Sequence, residues 1–496
     1  MRTLFKSALA SLIAISSCCA GDSEITNYYR HINIDKGFNI IGKYHLSEAE
    51  AAGKNCYAIT TDNNGQLQNI GYFKNGQIAN DPELHVAAIT FEYTEKIEKR
   101  NYYDSKGNFT KNKMGVYTEV FKFDENENKI SKSNYDYNEN LMKDNQEVIE
   151  YKWNLNDTGT IISAFFLDEV GNAAKDRYGR YEIRYKYDEQ GNVIEESYIN
   201  SEGQLAEDKN GIAFVRHNYN NLGNIIETTI YGADSLLSGD NEYGVAQVLI
   251  EYDDFGYRIV IKAFDKDKKP VIHPDYGFSI IKFKYDSSGN LVENRYYDSN
   301  EILRSILKYN ENSDLVETRY YGPDGSLQED LELGTAIIKI KYDMQGNEIE
   351  KSYYDANNNL VLRKDTGVAI EQWIYSDNGE TVENRVLGVN KELVNDLKSG
   401  VSISRWKYNS KMSLEELSFY DNNEELKIDN TTGYAVMRNS YDQDGRLIEA
   451  SFYDANNKLK NDEKYGIAII RYQYDNAGNI IKRIGIDSNN ETIFIK

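Results

Sequence analysis

The chain has 496 residues, with 57 Lys and Arg against 80 Asp and Glu, for a net charge of −23. That balance repels polyanions and argues against a phosphate-neutralising, nucleic-acid-binding surface. Its plain physical use is to keep a molecule rich in strand edges soluble. With 41 Tyr, 35 Gly and 4 Pro, the composition suits many short, half-buried strands joined by turns and excludes a helix bundle.

Residues 1–20 have the parts of an export signal: Arg2 and Lys6, an apolar run from Ala8 to Ile15, and small residues around Cys18. Ile15-Ser16-Ser17-Cys18 resembles the lipobox of bacterial lipoproteins, which implies lipidation at Cys18; cleavage after Ala20 is the alternative. No later stretch has the length of apolar sequence that a membrane span needs. The expectation is therefore no transmembrane segment, with membrane contact only through an N-terminal lipid. Cys56 stands alone beyond the leader, which excludes a disulfide framework. Within residues 21–56, Ser47, Glu50 and Gly53 fall at the N-cap, N3 and C-terminal positions of a single-turn helix. This segment reads as a cap over the first strand edge of the region beyond residue 56.

From residue 57 the chain repeats itself, irregularly over 57–180 and regularly over 181–490. An aromatic followed by Asp or Asn recurs at Tyr187, Tyr219, Tyr252, Tyr285, Tyr309, Tyr342, Tyr375, Tyr408, Tyr441 and Tyr474, mostly 33 residues apart with one interval of 24. Upstream, Tyr93, Phe123 and Trp153 continue the series, with Thr61 a degenerate first member. Eight residues before the anchor stands a glycine, such as Gly211, Gly277, Gly334 or Gly367. Two residues after that glycine comes a small side chain, such as Ala213, Ala336 or Ala369. These columns predict tight stacking of one repeat on the next. After the anchor, turns such as Asp188-Glu189-Gln190-Gly191-Asn192 close a hairpin. A second turn and a shorter extended piece come after the returning strand.

Pairing the anchor with the residue seven places later sets Lys186, Lys284, Lys341 and Lys407 opposite Glu195, Glu293, Glu350 and Glu416. The same register puts Ile194, Ile226, Ile349 and Ile448 in the core with the anchors and with Tyr185, Phe283, Trp373, Trp406 and Tyr472. Twelve residues after the anchor come Tyr231, Phe264, Tyr297, Tyr321, Tyr354, Tyr420 and Tyr453. Alternation sets these on the opposite face, where an exposed aromatic ladder would meet sugar rings or a protein. The alternative is that the third strand or the winding covers them.

The string Tyr-Asp-x-x-Gly-Asn-x-x-Glu resembles the tyrosine-aspartate (YD) repeats of the Rhs and teneurin families, most closely over the interval Tyr285 to Tyr309. The resemblance implies hairpins wound into a β-shell or superhelix, and a scaffold role. The expected fold is thus all-β, a repetitive β-hairpin solenoid of about 12–13 repeats. Chemistry has no signature: the five histidines are scattered, His217 occupies an aromatic core column, and no phosphate loop, HExxH or GxSxG occurs. We therefore expect no enzyme, cofactor or metal. The expected protein is an exported scaffold at the outer membrane or cell surface, or else periplasmic or secreted, meeting a protein or polysaccharide partner. A purely structural envelope component is the alternative. An enzyme would need one singular polar cluster, to be sought between Asp81 and Asn172.

Overall fold

A computed structural model describes residues 24–272, 278–462, 466–475 and 478–495. The leader with Cys18, and also His273 and Gly277, lie outside the described residues. The fold is all-β, a run of antiparallel strands with one short helix, and each strand pairs with its sequence neighbours as a meander of hairpins. It divides into two compact units, Met1–Glu301 and Ile302–Lys496, with the boundary inside the 24-residue interval between Tyr285 and Tyr309.

One repeat shows how the sequence makes the hairpin. Strands Ile337–Tyr342 and Glu348–Tyr354 are joined by the turn Asp343 to Asn347. Asp343 Oδ1 accepts the backbone N–H groups of Gln345 and Asn347, each at 2.9 Å, and Asn347 Nδ2 donates to Oδ2 at 2.9 Å. Gly346 takes the left-handed backbone at φ 87° that closes the loop. Each member of the Asp-x-x-Gly-Asn signature therefore has a mechanical job.

The register corrects the expected pairing by one residue. Lys341 faces Glu350 as expected, but Tyr342 then pairs with Glu348, so Ile349 is the extra residue of a β-bulge. The same shift recurs at Tyr187, Tyr219, Tyr252, Tyr408 and Tyr441. The bulge turns the expected core residues Ile194, Ile226 and Ile448 outward, to 37%, 36% and 37% exposure, and leaves Ile349 half-buried. Beside the bulge, the anchor hydroxyl reaches back one repeat to the carbonyl six residues past the preceding anchor. Tyr219 donates to Val193 at 2.7 Å, Tyr375 to Glu348 at 2.8 Å, Tyr441 to Leu414 at 2.7 Å and Tyr474 to Leu447 at 2.8 Å.

Trp153 is not the anchor of its repeat. Leu155 holds that place, since Leu155 pairs with Ile161 across the bulge and Asn156 to Thr160 form the turn. The indole lies two residues earlier, in the buried aromatic column.

A third turn in each repeat stacks on the last through backbone bonds: Lys364 N–H to the Leu333 carbonyl at 2.9 Å, Leu397 to Thr366 at 2.7 Å and Asn430 to Ser399 at 2.8 Å. The glycine column sits here. Gly367 has φ 68°, and a Cβ on it would lie 2.9 Å from Leu397 Cγ of the next turn. The small residues two places on, including Ala336, Ala369, Ala435 and Ala468, are fully buried.

At the start, β1 (Ile25–Ile34) lies between β2 (Ile40–Leu46) and β3 (Cys56–Thr61), so that β1 covers the edge of β3. Helix α1 (Glu48–Ala51) comes after β2 and begins with the capping box of Ser47 and Glu50.

Gly367→Ala and Gly379→Ala separate left-handed strain from stacking. At Gly379, with φ 86° and open space around it, alanine should cost about 1–2 kcal/mol. Gly367→Ala should cost more, because the Leu397 side chain must also move. Native-state hydrogen exchange of the flanking repeats checks the difference.

Candidate binding face

Cross-strand register places the aromatic column. Ile403 faces Tyr420, Arg405 faces Ser418 and Lys407 faces Glu416, so Tyr420 shares a face with Arg405 and Lys407, opposite to that of Trp406. The ring does not stand clear on that face. It is half-buried, with Ile403 fully buried opposite it, and the Arg405 guanidinium sits 4.6 Å from its centroid. Arg405 Nε donates to Glu383 of the preceding repeat at 2.6 Å, and a second nitrogen donates to Glu424 at 3.0 Å.

This trio of carboxylate, cation and tyrosine recurs. Arg438 bonds Glu416 at 2.7 Å and lies 4.6 Å from the Tyr453 ring. Arg216 bonds Glu195 at 2.9 Å and lies 5.0 Å from Tyr231. Lysine takes the cation's place over Tyr297 (Lys282, 4.9 Å) and over Tyr354 (Lys339, 4.3 Å). Tyr321 and Phe264 are half-buried at the equivalent positions. Partly exposed cation–ring contacts of this kind contribute about 0.5–1 kcal/mol each. Between two repeats the face opens into a cleft of about 400 Å³ lined by Ile374, Glu383, Arg385, Arg405, Glu416 and Tyr420. The cation column three residues before the anchor recurs in the sequence (Arg216, Lys282, Lys339, Arg405, Arg438), and each of these lies over a ladder ring.

In the first unit the hairpin of β1 and β2 does more than cap an edge. Phe38 packs against Phe121 and Trp153, Lys36 bonds Glu196 at 2.6 Å, the Lys43 ammonium bonds the Leu222 carbonyl at 3.1 Å, and Arg30 reaches Tyr257 at 3.2 Å. One hairpin thus touches repeats spread from Phe121 to Tyr257, and the sheet of this unit curls around it. His217, expected as a structural imidazole, accordingly has structural partners: Thr228 Oγ1 at 2.9 Å and Glu196 at 3.5 Å. Burial raises the Glu196 pKa, but the hydrogen bonds from His217 and the Lys36 ammonium outweigh it and hold the carboxyl down to about 2.

The region from Asp81 to Asn172 does hold a singular ionic cluster. Glu98 pairs with Arg100 at 2.5 Å and with Lys129 at 3.4 Å, while Glu119 pairs with Lys132 at 2.8 Å and accepts the Tyr102 hydroxyl at 2.5 Å. The cations press on ring faces, Arg100 at 4.3 Å from Phe121 and Lys132 at 4.4 Å from Phe38. Lys132 and Glu119 are buried. The arrangement suits a polar core that locks the hairpin, with each charge paired to another.

Fold and face together define a β-hairpin repeat protein. No family model and no curated protein matches the chain. Among solved structures, TcdB2-TccC3-TEV is similar at 10% identity and a TM-score of 0.24, over 95% of this chain and 29% of that one. The Photorhabdus luminescens Tc holotoxin pore is similar at 11% and 0.22, over 90% and 26%. The chain spans less than a third of the length of these solved chains.

The depressed Glu196 carboxyl sets a sign for acid unfolding. Its ordinary value is 4.5, so its stabilising charge is fully present above that pH and is lost as pH falls from about 4.5 to about 2. Glu196→Gln should flatten the thermal-stability profile of the first unit across that window and lower stability near neutrality. Burial also pushes the Cys56 thiol up to about 12, so thiol reagents at pH 8 should label it only on unfolding.

Proposed function

We propose that the chain is a non-catalytic, exported repeat scaffold that holds a glycan or protein partner at the cell surface through its Arg–Tyr face. The carrying observation is repetition: a trio of carboxylate, cation and tyrosine recurs at Glu195-Arg216-Tyr231, Glu383-Arg405-Tyr420 and Glu416-Arg438-Tyr453, and a lysine lies over the ring at Tyr297 and Tyr354. Many equal weak contacts suit multivalent holding of a polymer or a broad surface, whereas catalysis asks for one distinct site. With a cation over one ring face, Tyr231, Tyr297, Tyr354, Tyr420 and Tyr453 offer ring edges to a ligand, while the hydroxyls of Tyr231, Tyr354, Tyr420 and Tyr453 are shared with Thr229, Ser352, Ser418 and Ser451. A lipid on Cys18 would set the scaffold at the outer membrane; cleavage after Ala20 would leave it periplasmic or secreted.

A second reading is a purely structural envelope component. It is favoured by Ile370 and Leu387, which with Ala369 form a small apolar core in which an aliphatic side chain replaces the ladder tyrosine.

The two readings part in one experiment. Tyr354→Ala, Tyr420→Ala and Tyr453→Ala, singly and together, should weaken retention on a glycan or protein ligand in graded steps, with the effects adding across repeats. Loss of thermal stability with unchanged retention would favour the structural reading. In parallel, Cys18→Ser should move the protein from the membrane fraction to the soluble fraction if the lipid anchors it.

A further inference from the structure

The stacked third turns of the first unit carry a second feature. The turns beginning at Asn112, Asp144, Asp176 and Asp208 succeed one another through backbone bonds: Asn145 N–H to the Met114 carbonyl at 2.8 Å, Arg177 to Gln146 at 2.7 Å and Lys209 to Tyr178 at 2.9 Å. Bonded in this way, successive turns lie about 4.8 Å apart. Each carries exposed cations on or beside it: Lys111 and Lys113, then Lys143, then Lys175 and Arg177, then Lys209. Among the described residues none of the six forms an ion pair, although cations elsewhere on this acidic chain are widely paired.

The aspartates of these turns lie below the cations: Asp144 and Asp176 are buried, and half-buried Asp208 accepts the N–H groups of Asn210 and Ile212. Asp144 accepts the N–H groups of Gln146 and Val148, and Asp176 those of Tyr178 and Arg180, with Arg180 also paired to Asp176. Glu147 is the exposed carboxylate inside the row, and Glu83 and Glu207 lie at its two ends.

An aromatic platform adjoins the stripe. Phe109, Tyr117 and Tyr137 pack together with centroids 5.3 to 5.7 Å apart, the Lys111 ammonium lies 5.6 Å from the Tyr117 ring, and Tyr137 is 63% exposed. Unlike Tyr231, Tyr297, Tyr354, Tyr420 and Tyr453, Tyr137 has no cation over its ring among the described residues.

We propose that this stripe and platform are a docking surface for an acidic polysaccharide, a polymer of uronate or sulfated sugars. Cations at regular spacing match carboxylates or sulfates at regular spacing, and an open phenol face suits a sugar ring. The acidic remainder of the chain selects for a thin partner. A narrow chain meets the stripe alone, whereas a flat anionic membrane would also meet the surrounding carboxylates. The proposal rests on the binder reading but places the acidic glycan on a different surface from the Arg–Tyr face.

Affinity electrophoresis of the full chain through gels containing polygalacturonate, with dextran as the neutral control, tests it. Polygalacturonate should retard the protein, dextran should not, and retardation should fall with added salt. A variant combining Lys111→Gln, Lys113→Gln, Lys143→Gln and Lys175→Gln should lose about tenfold in affinity with an unchanged melting temperature; Arg177 is left in place because it also bonds the Asn145 carbonyl of the preceding turn at 3.3 Å. Tyr137→Ala should weaken binding, and Lys266→Gln, an exposed cation away from the stripe, should leave it unchanged. No retardation by polygalacturonate or chondroitin sulfate, or equal retardation of the quadruple variant, overturns the proposal. So does tighter, equally lysine-dependent binding to single-stranded DNA or to phosphatidylglycerol vesicles. If the stripe fails while the ladder variants still lose a glycan or protein ligand, the broader binding reading stands without it.

Discussion

The hydrogen bond from the anchor tyrosine to the bulged strand of the preceding repeat, made by Tyr187, Tyr219, Tyr252, Tyr342, Tyr375, Tyr408, Tyr441 and Tyr474, is the constraint on which the rest of the structure depends. In the regular repeats each hairpin is nearly self-contained, and between hairpins the strands share three paired residues, as at Glu416, Leu417 and Ser418. The hydroxyl adds a side-chain bond at the far end of that junction, about 2.7 Å long at Tyr441. A phenylalanine there would fill the same space and lose the bond, worth on the order of 1 kcal/mol. Summed over the repeats, that difference is comparable with the whole stability of an ordinary domain.

The turn and the bulge serve that bond. The Asx-closed loop after the anchor fixes where the strand reverses, and the bulge then shifts the pairing so that the anchor sits against the residue six places on. At the opposite end of the repeat the stacked third turns supply a second line of backbone bonds. Two such lines, one at each end of the strands, set the spacing of every column on the faces between them. The carboxylate, cation and tyrosine trios and the exposed lysine stripe are both consequences of that spacing.

The first unit adds a constraint that the second does not need. Its sheet curls around the N-terminal hairpin, and the buried surface there is mixed: Phe38 and Trp153 beside Arg100, Lys132 and Glu119. Buried ions are costly unless matched, and here each has both a counter-ion and a ring face or hydroxyl. Such a core rejects misplacement of the hairpin more sharply than an oily one would, because a shift of one residue strands a charge.

By itself the sequence determined the all-β repeat, its period, the turn chemistry, the glycine and alanine stacking columns and the capped helix at Ser47. Those features are local or recur, and each is written in residue types with one physical use. Only the tertiary structure decided the rest. The bulge moved Ile194, Ile226 and Ile448 from the expected core to the surface, because one inserted residue reverses the alternation on which the expectation stood. Leu155 displaced Trp153 as an anchor, although Gly159 four places after Leu155 already carried the signal. The partners of Phe38, Lys36 and Arg30 lie about 80 to more than 200 residues away, and no pattern within a repeat encodes where a curling sheet returns. The lysines of the stripe are visible in the sequence at intervals of 32, but their meaning as a surface depends on the turns stacking directly on one another, and that is a fact of the fold.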